Sequence, residues 1–165
     1  MPESPTQTVQ RLFPLLAEGR TDEAAALFAN AVSFSIPHPP GVPWVPEVDS
    51  ADGMREFFEL LAAHVRPKLT EVGQIVAEGD DVVVLGRMVS EVKATGRDID
   101  TAFALHITVR AGRITRYHLY EDTLAVAEAY FGEAPARGRS EDAPSSVGSC
   151  ARDSDRARRS SRRGN

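Results

Sequence analysis

Four β-rich runs, each divided from the next by a three- or four-residue separator that contains Gly, dominate the middle of the chain. Leu69–Ala77, Val82–Ala94, Ile99–Val109 and Arg113–Glu121 are split by Glu78-Gly79-Asp80-Asp81, Thr95-Gly96-Arg97 and Arg110-Ala111-Gly112. Each Gly stands where a tight antiparallel turn needs one. The runs therefore predict four consecutive antiparallel strands.

The first half reads as helices around a single strand. Gln7–Ala17 places Val9, Leu12, Phe13, Leu15 and Leu16 at the spacing of an amphipathic helix. Pro14 lies inside it and kinks it or marks its true start. Thr21 is placed to cap a short helix over Asp22–Phe28, whose first turn is acidic. Ala31–Ile36 alternates as a strand does. Five prolines between Pro37 and Pro46 fix an irregular, extended loop that holds Trp44. Asp52–Val65 carries a wide apolar stripe of Met54, Phe57, Phe58, Leu60 and Leu61. A last short helix runs from Thr123 to about Phe131 and ends at Gly132. The order helix, helix, strand, helix, then four strands predicts an α+β fold. Its helices cover one face of a curved sheet and enclose a cone-shaped pocket.

Charge divides the chain unevenly. Residues 1–132 hold 11 basic and 19 acidic side chains, a net of -8, whereas 133–165 hold 8 and 5, a net of +3. An acidic folded part argues against a nucleic-acid partner, which needs a basic face to displace counterions. Residues 133–165 are rich in Arg and Ser and nearly free of large apolar side chains, so they are expected to be disordered. The single cysteine, Cys150, cannot form an internal disulfide. The start lacks the features of a secretion signal. No apolar run approaches the roughly 20 residues of a membrane span. The expectation is a cytoplasmic protein with neither a membrane nor a nucleic-acid partner.

The closing run, Arg113-Ile114-Thr115-Arg116-Tyr117-His118-Leu119-Tyr120-Glu121-Asp122, brings His, Tyr and carboxylate groups to a strand–helix junction. Acid/base side chains placed there suit a small-molecule site. The four histidines show no metal-binding spacing, so neither a metal nor a cofactor is expected.

Read in order, several motifs resemble the NTF2-like superfamily and, within it, the SnoaL-like branch. They are Leu27-Phe28-Ala29-Asn30-Ala31-Val32, the Pro/Gly loop with Trp44, Gly53-Met54-Arg55-Glu56-Phe57-Phe58, Gly96-Arg97 in a hairpin, and Gly112-Arg113-Ile114 leading to Tyr120-Glu121-Asp122. The resemblance covers residues 7–131. It implies a cone-shaped, curved antiparallel sheet wrapped around helices, and a homodimer. The superfamily spans ketosteroid isomerases, polyketide cyclases, limonene epoxide hydrolases, dehydratases and non-catalytic binding proteins, so the fold does not fix the activity.

The carry-over is residue by residue. Tyr120-Glu121-Asp122 matches the Tyr-x-Asp segment whose Asp is catalytic in the epoxide hydrolases. Arg87 falls near the Arg of their Arg-x-Asp pair, but Val89 stands where its Asp belongs. The isomerase base position, around Ile36, has no carboxylate unless His38 substitutes. His106 aligns near the oxyanion-binding Asp of the isomerases.

Each candidate has two readings. Asp122 is a general base with a raised pKa, or the N-cap of the helix that starts at Thr123. His106 donates to a developing oxyanion, or is an ordinary strand histidine. Arg87 pairs with a pocket group, or faces outward. Tyr117, His118 and Tyr120 alternate faces, so they cannot all line one pocket without a bulge; Tyr120, on the face of Asp122, is the preferred donor. With Arg110-Ala111-Gly112 as a three-residue loop, His106 faces Arg116, and Asp122 faces Asp100. That pairing would put two carboxylates about 5 Å apart, unless Asp100 lies in solvent. Trp44 closes the pocket mouth or simply packs. The catalytic set is thus Asp122, His106, Arg87 and Tyr120, with Trp44, Phe57, Phe58, Asp100, Tyr117 and His118 as substrate contacts.

The leading functional expectation is cofactor-independent acid/base chemistry on a hydrophobic small molecule of polyketide or terpenoid type, by isomerisation, cyclisation or epoxide opening. The rivals are a binding module without chemistry and a dimeric interaction protein. Apolar side chains on the outer sheet face, together with an interior filled by the protein's own side chains, would favour the last.

Overall fold

The computed structural model describes residues 3–132; the expected disorder of residues 133–165 lies outside them. Helix α1, Pro5–Ala17, starts two residues before the predicted Gln7. Ser4 and Gln7 form a reciprocal capping box there, and Pro5 takes the first turn, where no N–H is needed. Pro14 is held inside the helix. Helix α2, Thr21–Ala25, is shorter than Asp22–Phe28. Its expected last residues belong to the sheet instead, because Leu27 accepts from the Ile114 N–H and Phe28 pairs with Ile114. The cap position is taken by Arg20 without a side-chain bond, not by Thr21.

Strand β1, Phe28–Ser35, is followed by the Pro-rich loop and by α3, Ala51–His64, which Ser50 caps through the Gly53 N–H. Strand β2, Val65–Glu78, begins before Pro67. It lies at the sheet edge, where a missing N–H costs no ladder bond. Then come β3, Asp81–Val92, β4, Arg97–Arg110, β5, Arg113–Glu121, and α4, Thr123–Phe131. The sheet order is β1-β5-β4-β3-β2. β2 to β5 form the expected antiparallel meander, and β1 joins it in parallel beside β5. No helix among the described residues is long and apolar enough to cross a membrane.

The inner face packs on the helices. Val82, Val84, Phe103, Leu105, Ile107, Val109, Ile114 and Tyr117 meet Val9, Leu12, Met54, Phe57 and Phe58 in one core. Burial of each such large apolar side chain contributes about 1.5–3 kcal/mol. A second cluster, with Trp44, Val65, Val92, Ile99, Val126 and Ala129, fastens the Pro-rich loop and α4 to the sheet. Bending the sheet around this core requires Gly86. A Cβ there would lie 2.2 Å from the Glu71 carbonyl oxygen and 2.8 Å from the Phe103 ring.

The β4–β5 register differs from the expected one by two residues. Ala111 and Gly112 alone form the turn, at φ 49° and 71°, and Arg110 pairs with Arg113. That shifts the pairing by one residue, and a bulge between Thr108 and Val109 shifts it by another. His106 therefore faces His118, not Arg116, and Phe103 faces Glu121. Asp100 faces Val89 and is not a cross-strand partner of Asp122.

Candidate functional site

Alternation along β5 sends Tyr117 and Glu121 inward, against Ile107 and Phe103, while Arg116, His118 and Tyr120 turn outward. Four phenylalanines surround the Tyr117 ring. Phe28 and Phe34 of β1 lie at centroid distances of 6.0 and 6.1 Å, and Phe57 and Phe58 of α3 at 6.1 and 6.2 Å. The predicted substrate contacts Phe57, Phe58 and Tyr117 thus come together as an aromatic cluster that fills the cone at this level.

Glu121 is the residue that sequence reasoning missed. Its partly buried carboxyl has no ion pair among the described residues, and its pKa is pushed up to about 7, first by burial and then by the neighbouring charge of Asp122. Burial also raises the Tyr117 hydroxyl, with a further contribution from the Glu121 charge. Neither side chain has a hydrogen-bond partner among the described residues. The available signal was the period-two spacing of Tyr117, Leu119 and Glu121, which puts Glu121 on the face of the core residues.

The other predicted residues lie elsewhere. Asp122 caps α4, accepting from the Leu124 and Ala125 N–H groups at 2.9 and 3.3 Å, and its own N–H donates to Thr101 Oγ1 at 3.0 Å. Arg87 forms a two-pronged pair with Asp100, at 2.9 and 2.7 Å, on the exposed face of the sheet. Tyr120 is half exposed on that same face. His106 is also there, where its Nε2 bonds Asp81 Oδ1 at 2.8 Å, and His118 Nε2 bonds Ser33 Oγ at 2.9 Å. Trp44 is buried beside Tyr130, ring centroids 5.3 Å apart, and packs α4 onto the sheet. His106, Arg87 and Tyr120 are thus separated from the inner face by the thickness of the sheet, and nothing brings them together with Asp122.

An open groove of about 720 Å³, lined by Arg11, Leu15, Arg20, Glu23, Leu27 and Arg113, lies beside the β4–β5 turn. It is at the opposite end of β5 from Glu121, and its exposed charged side chains are already engaged: Arg20 with Glu23 and Glu18, Arg11 with Glu3, and Arg113 with the Ala26 carbonyl. Among the described residues no three His, Cys, Asp or Glu side chains converge as a metal site would require.

A cone-shaped sheet around helices, with a strand–helix junction at its mouth, defines the NTF2-like class of α+β proteins. Residues 9–117 match the SnoaL-like domain family, and the chain belongs to that family. No curated protein matches it. An NTF2-like protein from Burkholderia xenovorans is 26% identical, with a TM-score of 0.69 over 76% of this chain and 94% of that one. A candidate isomerase from Rhodopseudomonas palustris is 21% identical, with a TM-score of 0.69 over 81% of this chain and 100% of its own. A candidate polyketide cyclase from Pseudomonas putida is 16% identical, with a TM-score of 0.63 over 77% of this chain and 98% of its own. The last two share the fold.

Proposed function

We propose that the chain is a cofactor-independent enzyme that moves a proton on a hydrophobic small molecule, in the manner of an isomerase or cyclase, with Glu121 as the acid/base group. One observation carries this reading. Glu121 points from the inner face of β5, next to an aromatic cluster, with its pKa raised to about 7. A carboxyl poised there takes a proton from a carbon next to a carbonyl and returns it elsewhere. Tyr117, whose hydroxyl is on the same face, stabilises the resulting enolate oxygen by donating a hydrogen bond. Asp122 holds the base in place by capping α4 and raises its pKa by its charge. Ligands of polyketide or terpenoid type suit the apolar surroundings.

The test is deuterium wash-in from D2O into a panel of hydrophobic cyclic ketones. Glu121→Gln is expected to lower exchange about 100-fold or more, and Asp122→Asn to retain most of it. Equal exchange by wild type and Glu121→Gln would sink the proposal.

A second reading, a dimeric interaction module, is favoured by the outer sheet face, where Leu69, Val76, Leu85 and Tyr120 are exposed. The filled interior at Tyr117 favours it too. Sedimentation of the wild type against Leu85→Glu tests it: a dimer that the substitution splits supports this reading, and a wild-type monomer excludes it.

A further inference from the structure

We propose that the outer face of β5 carries a binding site for a small oxyanion, a carboxylate or a phosphate, centred on Arg116. The residues come from four neighbouring strands. Arg116 and His118 stand on β5, His106 and Thr108 across from them on β4, Ser33 on β1 and Asp81 at the start of β3.

Arg116 is the anomaly. Nine arginines lie in residues 3–132, and the other eight each have an ion pair or a hydrogen bond. Among the described residues Arg116 has neither, and its Nε is buried without a partner. A desolvated guanidinium N–H without an acceptor is costly, and native proteins rarely leave one so. The nearby carboxylate is Asp81, which lies within reach of the Arg116 charge. Its Oδ1 accepts from Thr108 Oγ1 at 2.6 Å and holds His106 Nε2 at 2.8 Å, and it lies beyond ion-pair distance of Arg116.

The surroundings supply further donors. The His106 and His118 rings meet edge to face with centroids 6.4 Å apart. Ser33 Oγ occupies His118 Nε2, which leaves Nδ1 free of any bond within the described residues. An oxyanion has several acceptor oxygens. One accepts from the terminal Nη–H groups of Arg116, which unlike Nε are not buried, and another from a His118 N–H, a pairing that favours carboxylates and phosphates over chloride.

Charge fits the same class. The charged and titratable groups facing the site are Arg116, Asp81, His106 and His118. With both histidines neutral, Arg116 and Asp81 cancel. Burial and the Arg116 and His106 charges hold His118 below its ordinary pKa. An arriving anion offsets those positive charges, so binding is accompanied by proton uptake at His118 and tightens as pH falls.

The experiment follows the histidine Cε1–H resonances of the wild-type protein at constant ionic strength, while inorganic phosphate, acetate or chloride is added. The expected result is a saturable shift of His118 and His106 with phosphate or acetate, accompanied by a rise in the His118 titration midpoint. Saturation by phosphate alone identifies a phosphate site; saturation by acetate as well identifies general oxyanion recognition. Arg116→Gln is expected to weaken the affinity about tenfold or more, and Glu121→Gln to leave it unchanged. If Arg116→Gln does not fold, His118→Gln provides the same comparison. The proposal is overturned if no shift saturates, if chloride matches the oxyanions as an adventitious ion would, or if the variants bind as the wild type does. It is equally overturned if the shifts only follow a change in sedimenting mass.

Discussion

Glu121 and Asp122 are adjacent in the chain, yet their carboxyls have opposite fates. Glu121 ends β5 facing inward with a proton affinity near neutrality, whereas Asp122 turns to cap α4 and stays exposed. Substitutions should separate the two. Asp122→Ala is predicted to cost about 1 kcal/mol of stability, the usual price of a lost N-cap, and to lower the Glu121 pKa toward the ordinary carboxylate value. Asp122→Asn keeps the cap and shows only the second effect. Thermal unfolding and the Glu121 carboxyl resonance measure them. A stable Asp122→Ala protein with an unmoved Glu121 would contradict this assignment.

The raised Glu121 pKa also predicts a pH dependence of stability. Between about 4.5 and 7 the folded chain holds a proton at Glu121 that the unfolded chain has released. The contribution is therefore complete below about 4.5 and is lost as pH rises through 7. Its size is on the order of 3 kcal/mol. His118 acts oppositely, because its lowered pKa makes stability rise with pH up to its ordinary value of 6.5. Denaturation of wild type and Glu121→Gln across this range isolates the first effect. The wild type is expected to lose stability relative to the variant as pH increases, and a constant difference is the contrary result.

Gly86→Ala is predicted to destabilise by about 1–3 kcal/mol or more, because the new methyl meets the Glu71 carbonyl, which belongs to the backbone and cannot turn away. Chemical denaturation measures the loss. An unchanged midpoint would show that β2 shifts freely to make room.

Tyr117→Phe removes a hydroxyl without a hydrogen-bond partner among the described residues, while keeping the ring among Phe28, Phe34, Phe57 and Phe58. Stability should change by less than about 1 kcal/mol, while ketone exchange falls. A large loss of stability would mean that the hydroxyl has a structural partner.

Most of the fold was legible in the sequence because its separators and apolar periods are local. Gly-containing turns delimit β2 to β5, and Met54, Phe57 and Phe58 mark the packed face of α3. The pairing across the last hairpin was not, since Arg110-Ala111-Gly112 reads as a three-residue loop unless Ala111 takes a positive φ, which non-glycine residues seldom do. The bulge beside Thr108 leaves no signature either. The strand–helix junction is legible as a place, and the period-two spacing marks the face of Glu121 but not its burial. Burial on the inner face, not residue type, distinguishes the two, and burial depends on packing by distant elements.

Because β1 pairs in parallel with β5, segments such as Ser33 and His118, 85 positions apart, must meet before the sheet has both its edges. The meander β2–β5 can zip from its turns, with little loop entropy to overcome at each step. Docking of β1, together with Phe28 and Phe34, is the non-local event and sets the slow step of folding. Truncating Phe34 should therefore slow refolding more than it speeds unfolding; stopped-flow rates that change only in unfolding would place the docking after the barrier.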